Sequence, residues 1–203
     1  MPMVNRLLRR AFLGGMTGAC CVARSVSATE PAGEVESSRG ECFAQISAMR
    51  RALAPAAALF IGDTVATGAQ SALSLRLGTA TQVRLGAEAR LRIDRFVVNA
   101  GGMLVLESGG MLYDHDPMAD QGNVAIRVPF GLVAVRGTRF FAGPSNGMFG
   151  VFVARGKVMV VGMNTAMMVT SGLGSDIPHA GGEPTAPHEW GAVRIASAMA
   201  SVN

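Results

Sequence analysis

The 203 residues are 49% hydrophobic but only 5% aromatic, and 26 of them are glycine, a balance that suits short strands and tight turns better than long helices. The formal charge of +4 is carried by the first 28 residues, which hold Arg6, Arg9, Arg10 and Arg24 and no acid; taking those four from the 18 Lys and Arg leaves 14 basic against 14 acidic residues. That neutrality excludes the clustered basic excess of a nucleic-acid-binding surface, and the length fits one domain with a tail.

Asn5-Arg6-Leu7-Leu8-Arg9-Arg10 is a basic stretch followed by a weakly apolar run, residues 11–23, too short for a comfortable membrane span. Val26-Ser27-Ala28 then offers small residues at the −3 and −1 positions of a signal-peptidase site. Residues 1–28 therefore read as a signal peptide, and Arg9-Arg10-Ala11-Phe12-Leu13 resembles the twin-arginine export motif R-R-x-F-L. The alternatives are an ordinary Sec signal with a fortuitous arginine pair, or a lipoprotein signal at Cys20 with a poor flank, Thr17-Gly18-Ala19. The expected location is the periplasm, with no stable membrane span once the signal is removed. Cys20 and Cys21 would leave with the signal, so Cys42 stands alone, without an internal disulfide, as a small buried hydrophobe rather than a nucleophile.

Residues 29–57 form a lead-in. Its first part, 29–40 (TEPAGEVESSRG), is polar and expected to be flexible. Residues 41–60 are ambiguous, because Phe43, Ile46, Met49 and Leu53 recur at helical spacing. From Gly62 the pattern is clear. Leu75-Arg76-Leu77-Gly78, Val83-Arg84-Leu85-Gly86 and Leu91-Arg92-Ile93-Asp94 echo one another every eight residues, room for one short strand and one corner. Stacked as neighbours, these units would form a column of Arg76, Arg84 and Arg92 with about 5 Å between strands. The column would suit an anionic glycan, lipid head group or acidic partner patch; the blander reading is a solvated face neutralised by Glu88, Asp94 or Glu107. The rhythm continues through Phe96-Val97-Val98, 103–106 and 111–113, pauses in the polar loop 114–123, and resumes in 126–143, IRVPFGLVAVRGTRFFAG. There Ile126, Val128 and Phe130 alternate with Arg127 and Pro129, and Gly131 and Gly137 divide three short apolar runs.

That stretch closely resembles the "tp.G.v.vrGT.f.v" core of FecR domains, with Gly137-Thr138 at the family's Gly-Thr. Gly62-Asp63-Thr64-Val65 and Thr67-Gly68 are similar to its "GD.v.Tg" opening. Residues 149–154 and 158–161, flanking Arg155-Gly156-Lys157, are similar to its closing hairpin. The resemblance implies an opening strand near Cys42 to Gln45, a turn around Pro55, and a FecR-like β-domain over residues 58–170. Residues 171–203 remain as a Gly/Pro-rich tail with a short C-terminal helix, in which Trp190, Val193 and Met199 lie near helical spacing with Ile195 off the stripe. The expected fold is all-β, a short-strand β-sandwich or β-solenoid-like FecR domain. The family implies a periplasmic signal-sensing or protein-interaction module. Iron uptake or a sigma factor does not follow, because only about ten residues precede the apolar run, where regulators of this type carry a cytoplasmic domain.

No catalytic, cofactor-binding or metal residue stands out. Gly143-Pro144-Ser145-Asn146-Gly147 fits G-x-S-x-G formally, but a β-rich run follows where the nucleophile elbow needs a helix, so it reads as a turn. Asp114-His115-Asp116 are metal-competent, but neighbours in an extended chain point to opposite sides and do not converge. The arginines are the notable polar feature, 17 against the single Lys157. Arg136 and Arg139, flanking Gly137-Thr138, join Arg76, Arg84 and Arg92 as the candidate surface for a protein partner of the periplasm or envelope. Their structural alternative is a bond to a loop carbonyl. A second functional reading is a structural envelope module that binds glycan or self-associates; a third, a hydrolase using Ser145, is disfavoured.

Overall fold

In the computed structural model, which describes residues 31–97, 101–119, 123–135 and 137–203, turn residues cut the chain into eighteen strands and one helix. The signal-peptide reading of residues 1–28 and the side chain of Arg136 lie outside the described residues. The first third holds β1 (Gly33–Arg39), β2 (Cys42–Ile46), β3 (Met49–Ala52), β4 (Ala58–Leu59), β5 (Thr64–Thr67), β6 (Ala72–Leu77) and β7 (Thr81–Leu85). The middle holds β8 (Arg90–Val97), β9 (Gly101–Ser108), β10 (Met111–His115), β11 (Asn123–Val128), β12 (Gly131–Val135) and β13 (Arg139–Ser145). The last part holds β14 (Met148–Arg155), β15 (Lys157–Val161), β16 (Ala166–Thr170), β17 (Leu173–Ile177), β18 (His188–Glu189) and α1 (Ala192–Ala200).

The strands form two nine-stranded sheets. The first runs β18-β17-β14-β13-β10-β7-β6-β1-β4 and the second β16-β15-β12-β11-β9-β8-β5-β2-β3. The chain lays down a strand or a hairpin in one sheet, crosses, and continues in the other, so both sheets grow in the same direction. This is the expected all-β sandwich with solenoid character. Among the described strands β9 and β11 pair in parallel; the other pairings are antiparallel.

Period-two alternation sends one set of side chains between the sheets. Val83, Leu85, Leu91, Ile93, Leu104, Ile126, Val133, Phe140, Val151 and Val158 are all fully buried in this core. A second cluster lies on the outer face of the first sheet, where Leu112, Phe141 and Phe152 meet Trp190, Ala198 and Val202. The doublet Phe140-Phe141 and the run 111–113 are apolar at every position because those strands are covered on both sides.

The Gly-Thr corner expected from sequence is a crossing point. Gly137 adopts φ 61° between β12 in the second sheet and β13 in the first, and Gly156 adopts φ 86° where β14 hands the chain back to β15. The two corners pack together: a Cβ on Gly156 would lie 2.8 Å from Thr138 Cγ2 and 3.1 Å from the Gly137 carbonyl. Thr138 itself is fully buried. Residues 155–157 are therefore not the hairpin turn expected, since β14 pairs with β13 and β17 while β15 pairs with β12 and β16.

Other expectations are corrected. Residues 33–39 are not a flexible lead-in but strand β1, held between β4 and β6; Val35 points into the core, and polar neighbours hid the alternation. Helical spacing in 41–60 gives way to the β2–β3 hairpin, turned at Ser47 with φ 53°. The Gly/Pro-rich 172–187 contains strand β17, paired with β14. The C-terminal helix is present, yet Trp190 precedes it, Val193 is 85% exposed, and Ile195 and Met199 face the sheet instead. No helix among the described residues is long and apolar enough to cross a membrane.

Candidate functional site

The predicted arginine column does not form. Antiparallel pairing of β6 with β7 sets Arg76 opposite Gln82 and Arg84 opposite Ser74, while Arg92 lies on β8 in the second sheet, paired to Thr64 and Val105. Eight-residue spacing alone does not say which sheet a strand joins, and the third repeat crosses over.

What the first sheet does assemble is a ladder on its outer face. Successive register pairs run Glu34, Arg76, Gln82, Asp114, Arg139 and Arg155 across six strands. Arg76 and Arg139 thus share one row, and Arg84 sits in the adjacent row beside Leu112. The ladder neutralises itself. Asp114 accepts from Arg139 at 3.3 Å and Arg155 at 2.8 Å, and Arg155 also donates to the His115 carbonyl at 2.8 Å. It is Arg155, not Arg139, that bonds a loop carbonyl here. Glu36 accepts from Ser74 at 2.9 Å and from Gln82 and Arg76. Burial raises the pKa of its carboxyl, but those three bonds outweigh it and hold the group below its ordinary range. Arg84 donates to Asn203 Oδ1 at 2.9 Å, and Arg39 donates to the Asn203 carbonyl at 3.0 Å, so the arginines of this face tie the C-terminal segment to β1 and β7. In the second sheet Arg92 pairs with Asp94 at 3.1 Å, as the solvated reading foresaw, and Arg90 with Glu107 at 3.3 Å.

Asp114-His115-Asp116 is anchored rather than open. Both Asp114 oxygens face guanidinium groups, and His115 Nδ1 shares a 2.8 Å hydrogen bond with Thr81 Oγ1. Burial pushes the His115 pKa down against the pull of Asp116 and Asp114. Among the described residues no group of three or more His, Cys, Asp or Glu is placed to hold a metal ion. Cys42 is buried between β1 and β5, and burial pushes its thiol pKa up, which keeps it protonated and unreactive.

Ser145 ends β13, and Asn146-Gly147, both at positive φ, turn the chain into β14. This is a two-residue hairpin with two left-handed positions, not a strand-to-helix elbow. Ser145 Oγ accepts from Arg194 Nε at 2.9 Å, and Arg194 grips buried Asp176 through both terminal nitrogens. His188 Nε2 approaches Asp176 at 3.4 Å. A guanidinium therefore separates the serine from the carboxylate, and no base touches its hydroxyl. The Arg194 plane also lies 3.5 Å over the Trp190 ring, so the cluster fastens the C-terminal segment to β13 and β17.

Two polar devices had no clear sequence signal. Asp63, fully buried, accepts from Arg51 Nη1 at 2.8 Å and from the Phe60 amide at 2.8 Å, closing the β3–β5 corner; the Gly-Asp pair marked a turn but not its partner. The other is the bare outer face of the second sheet. Met103, Ala125, Ala134, Met159 and Met168 align across β9, β11, β12, β15 and β16, and Val124, Ala125, Ala134, Val135, Lys157, Met159 and Met168 line a groove of about 290 Å³.

Comparison with known proteins agrees with this architecture. Residues 63–159 match the model of the family described as FecR protein. No curated protein matches the chain. Two crystal structures of candidate anti-sigma factors from Parabacteroides distasonis superpose with TM-scores of 0.55 and 0.56 at 19% and 18% identity. In both, 66% of this chain is covered, and the chain spans under two thirds of their length, 63% and 62%. At that identity the likeness is one of fold. The two-sheet sandwich with its glycine-threonine crossing and the family match coincide over the same strands, so the chain carries a FecR domain at residues 63–159 and belongs to the FecR family.

Proposed function

We propose that this chain is a non-catalytic, exported FecR-like module that serves periplasmic signal sensing through protein–protein interaction. The observation that carries the reading is the FecR domain over residues 63–159, on a fold shared with candidate anti-sigma factors. The engagement of Ser145, Asp176 and Asp114 by arginines supports it, since these groups act as fasteners. Export rests on the features of residues 1–28. Fractionation of cells producing the tagged protein should recover it in the periplasm, and Arg9→Lys with Arg10→Lys should retain it inside; recovery in the cytoplasm for both forms overturns the export reading. Cross-linking in intact cells should capture one specific protein.

One observation favours a second reading, a structural envelope module that binds glycan or self-associates. Strand β16, Ala-Met-Met-Val-Thr, is an uncharged edge of the second sheet, and uncharged edges accept further strands. Sedimentation with peptidoglycan, without a captured protein, would decide for it.

A further inference from the structure

The two outer faces of the sandwich differ. Over the first sheet, Leu112, Phe141 and Phe152 are roofed by Trp190, Ala198 and Val202. Over the second sheet, the corresponding face of β11, β12, β15 and β16 has no covering element among the described residues. Its floor is Ala125 and Ala134, and its wall is Met159 and Met168, 40% and 46% exposed.

The charge on this face has one sign. Strands β11, β12, β15 and β16 contain no aspartate or glutamate. Arg127 and Lys157 are exposed, lie on opposite sides of the alanine row, and make no ion pair with a described residue. This is unlike the first sheet, whose ladder pairs its arginines with Glu36 and Asp114.

We infer that the outer face of β11, β12, β15 and β16 docks an acidic amphipathic helix of a partner protein, its small apolar ridge on Ala125 and Ala134 and its carboxylates at Arg127 and Lys157. Backbone groups on a sheet face are spent in the ladder, so an occupant must satisfy its own, as a helix does. Flexible methionines suit such a groove, because they repack around an incoming surface. Charge selects among occupants. Residues 1–28 carry four arginines and no acid, and a second copy would set cation against cation. A lipid surface calls for protruding apolar groups, whereas this face is recessed to two alanines.

The inference rests on the reading of the chain as a protein-recognition module, and its test separates the two. A labelled helical peptide with an Ala/Leu face and Glu flanks is titrated against the full chain, beside the same peptide with Lys for Glu and vesicles of phosphatidylcholine with phosphatidylglycerol. The acidic peptide should bind, shifting the methyl resonances of Met159 and Met168 in ¹³C-methionine spectra. Arg127→Glu with Lys157→Glu should weaken it about tenfold or more, as each lost charge-assisted contact costs about a factor of ten. Ala134→Leu, which fills the groove, should do the same with the thermal midpoint unchanged. Equal binding of the Lys peptide, no binding of either, shifts at other methionines, binding to the vesicles instead, or dimerisation lost in the same variants would each overturn the site. Partner cross-linking that survives Arg127→Glu with Lys157→Glu would leave the module's function standing and remove this face from it.

Discussion

Tyr113 shows what burial does to a single group. Its ring is 1% exposed against Phe140, 5.4 Å away, and burial drives the phenol pKa up to about 12, with Thr81 offsetting part of the effect. Above pH 10 the unfolded chain releases this proton and the folded chain keeps it, so stability drains away between about pH 10 and 12. Two units correspond to about 2.7 kcal/mol. Tyr113→Phe should flatten that limb of the stability profile in denaturant titrations; an unchanged limb would show that the phenol reaches water. His115 works at the acid end: its lowered pKa means protons bind the unfolded chain first, so stability falls as pH drops below about 6.5, and His115→Gln should lessen the fall. At this scale the sequence was readable where identity alone decides the outcome. Cys42 was a small buried group by type. The partners of arginines were not readable, because Arg76 finds Glu36 forty residues away and Arg155 finds Asp114 across forty-one, distances that only the register sets.

Elements carry a different lesson through Trp190. Its ring stacks on Phe152 at 5.5 Å and meets Phe141 edge-on at 6.5 Å. It fits because the strands beneath carry no side chain: a Cβ on Gly174 would lie 2.2 Å from Nε1, and one on Gly150 would lie 2.5 Å from the ring. Gly174→Ala should displace the indole, cost about 1–3 kcal/mol as overpacking does, and shift the emission of this single tryptophan to longer wavelength. An unshifted spectrum would contradict the packing. The helix was legible from its composition, and the docking of Trp190 was anticipated. Its buried face was not, because Ile195 and Met199 turn toward the sheet only once Trp190 sits before the first turn. Likewise the doubly apolar strands announced burial without saying that a helix supplied the second cover.

Across the whole molecule each strand touches mainly neighbours laid down shortly before or after it, and stability in such an array is a sum of local units and interfaces. Asp63→Ala should therefore act at one end. Loss of the Arg51 pair should cost about 2–3 kcal/mol, below the full penalty for a buried pair because Arg51 remains 35% exposed. Amide exchange should quicken in β2, β3, β4 and β5 while β14 and β17 keep their protection; uniform loss would show a single cooperative unit. Short strands cornered by glycines could be read from spacing. Sheet membership could not, because nothing in an eight-residue unit distinguishes a hairpin from a crossing, as Arg92 and Gly156 both show.

The parallel contact of β9 with β11 divides the second sheet into two antiparallel fans, whereas β10 carries the first sheet unbroken across the same place. Parallel ladders hold slightly less per residue. Under load the sandwich has a built-in crease: one cover would part along that line while the other acts as the spine, and the molecule would open like a book before it unravelled from an edge.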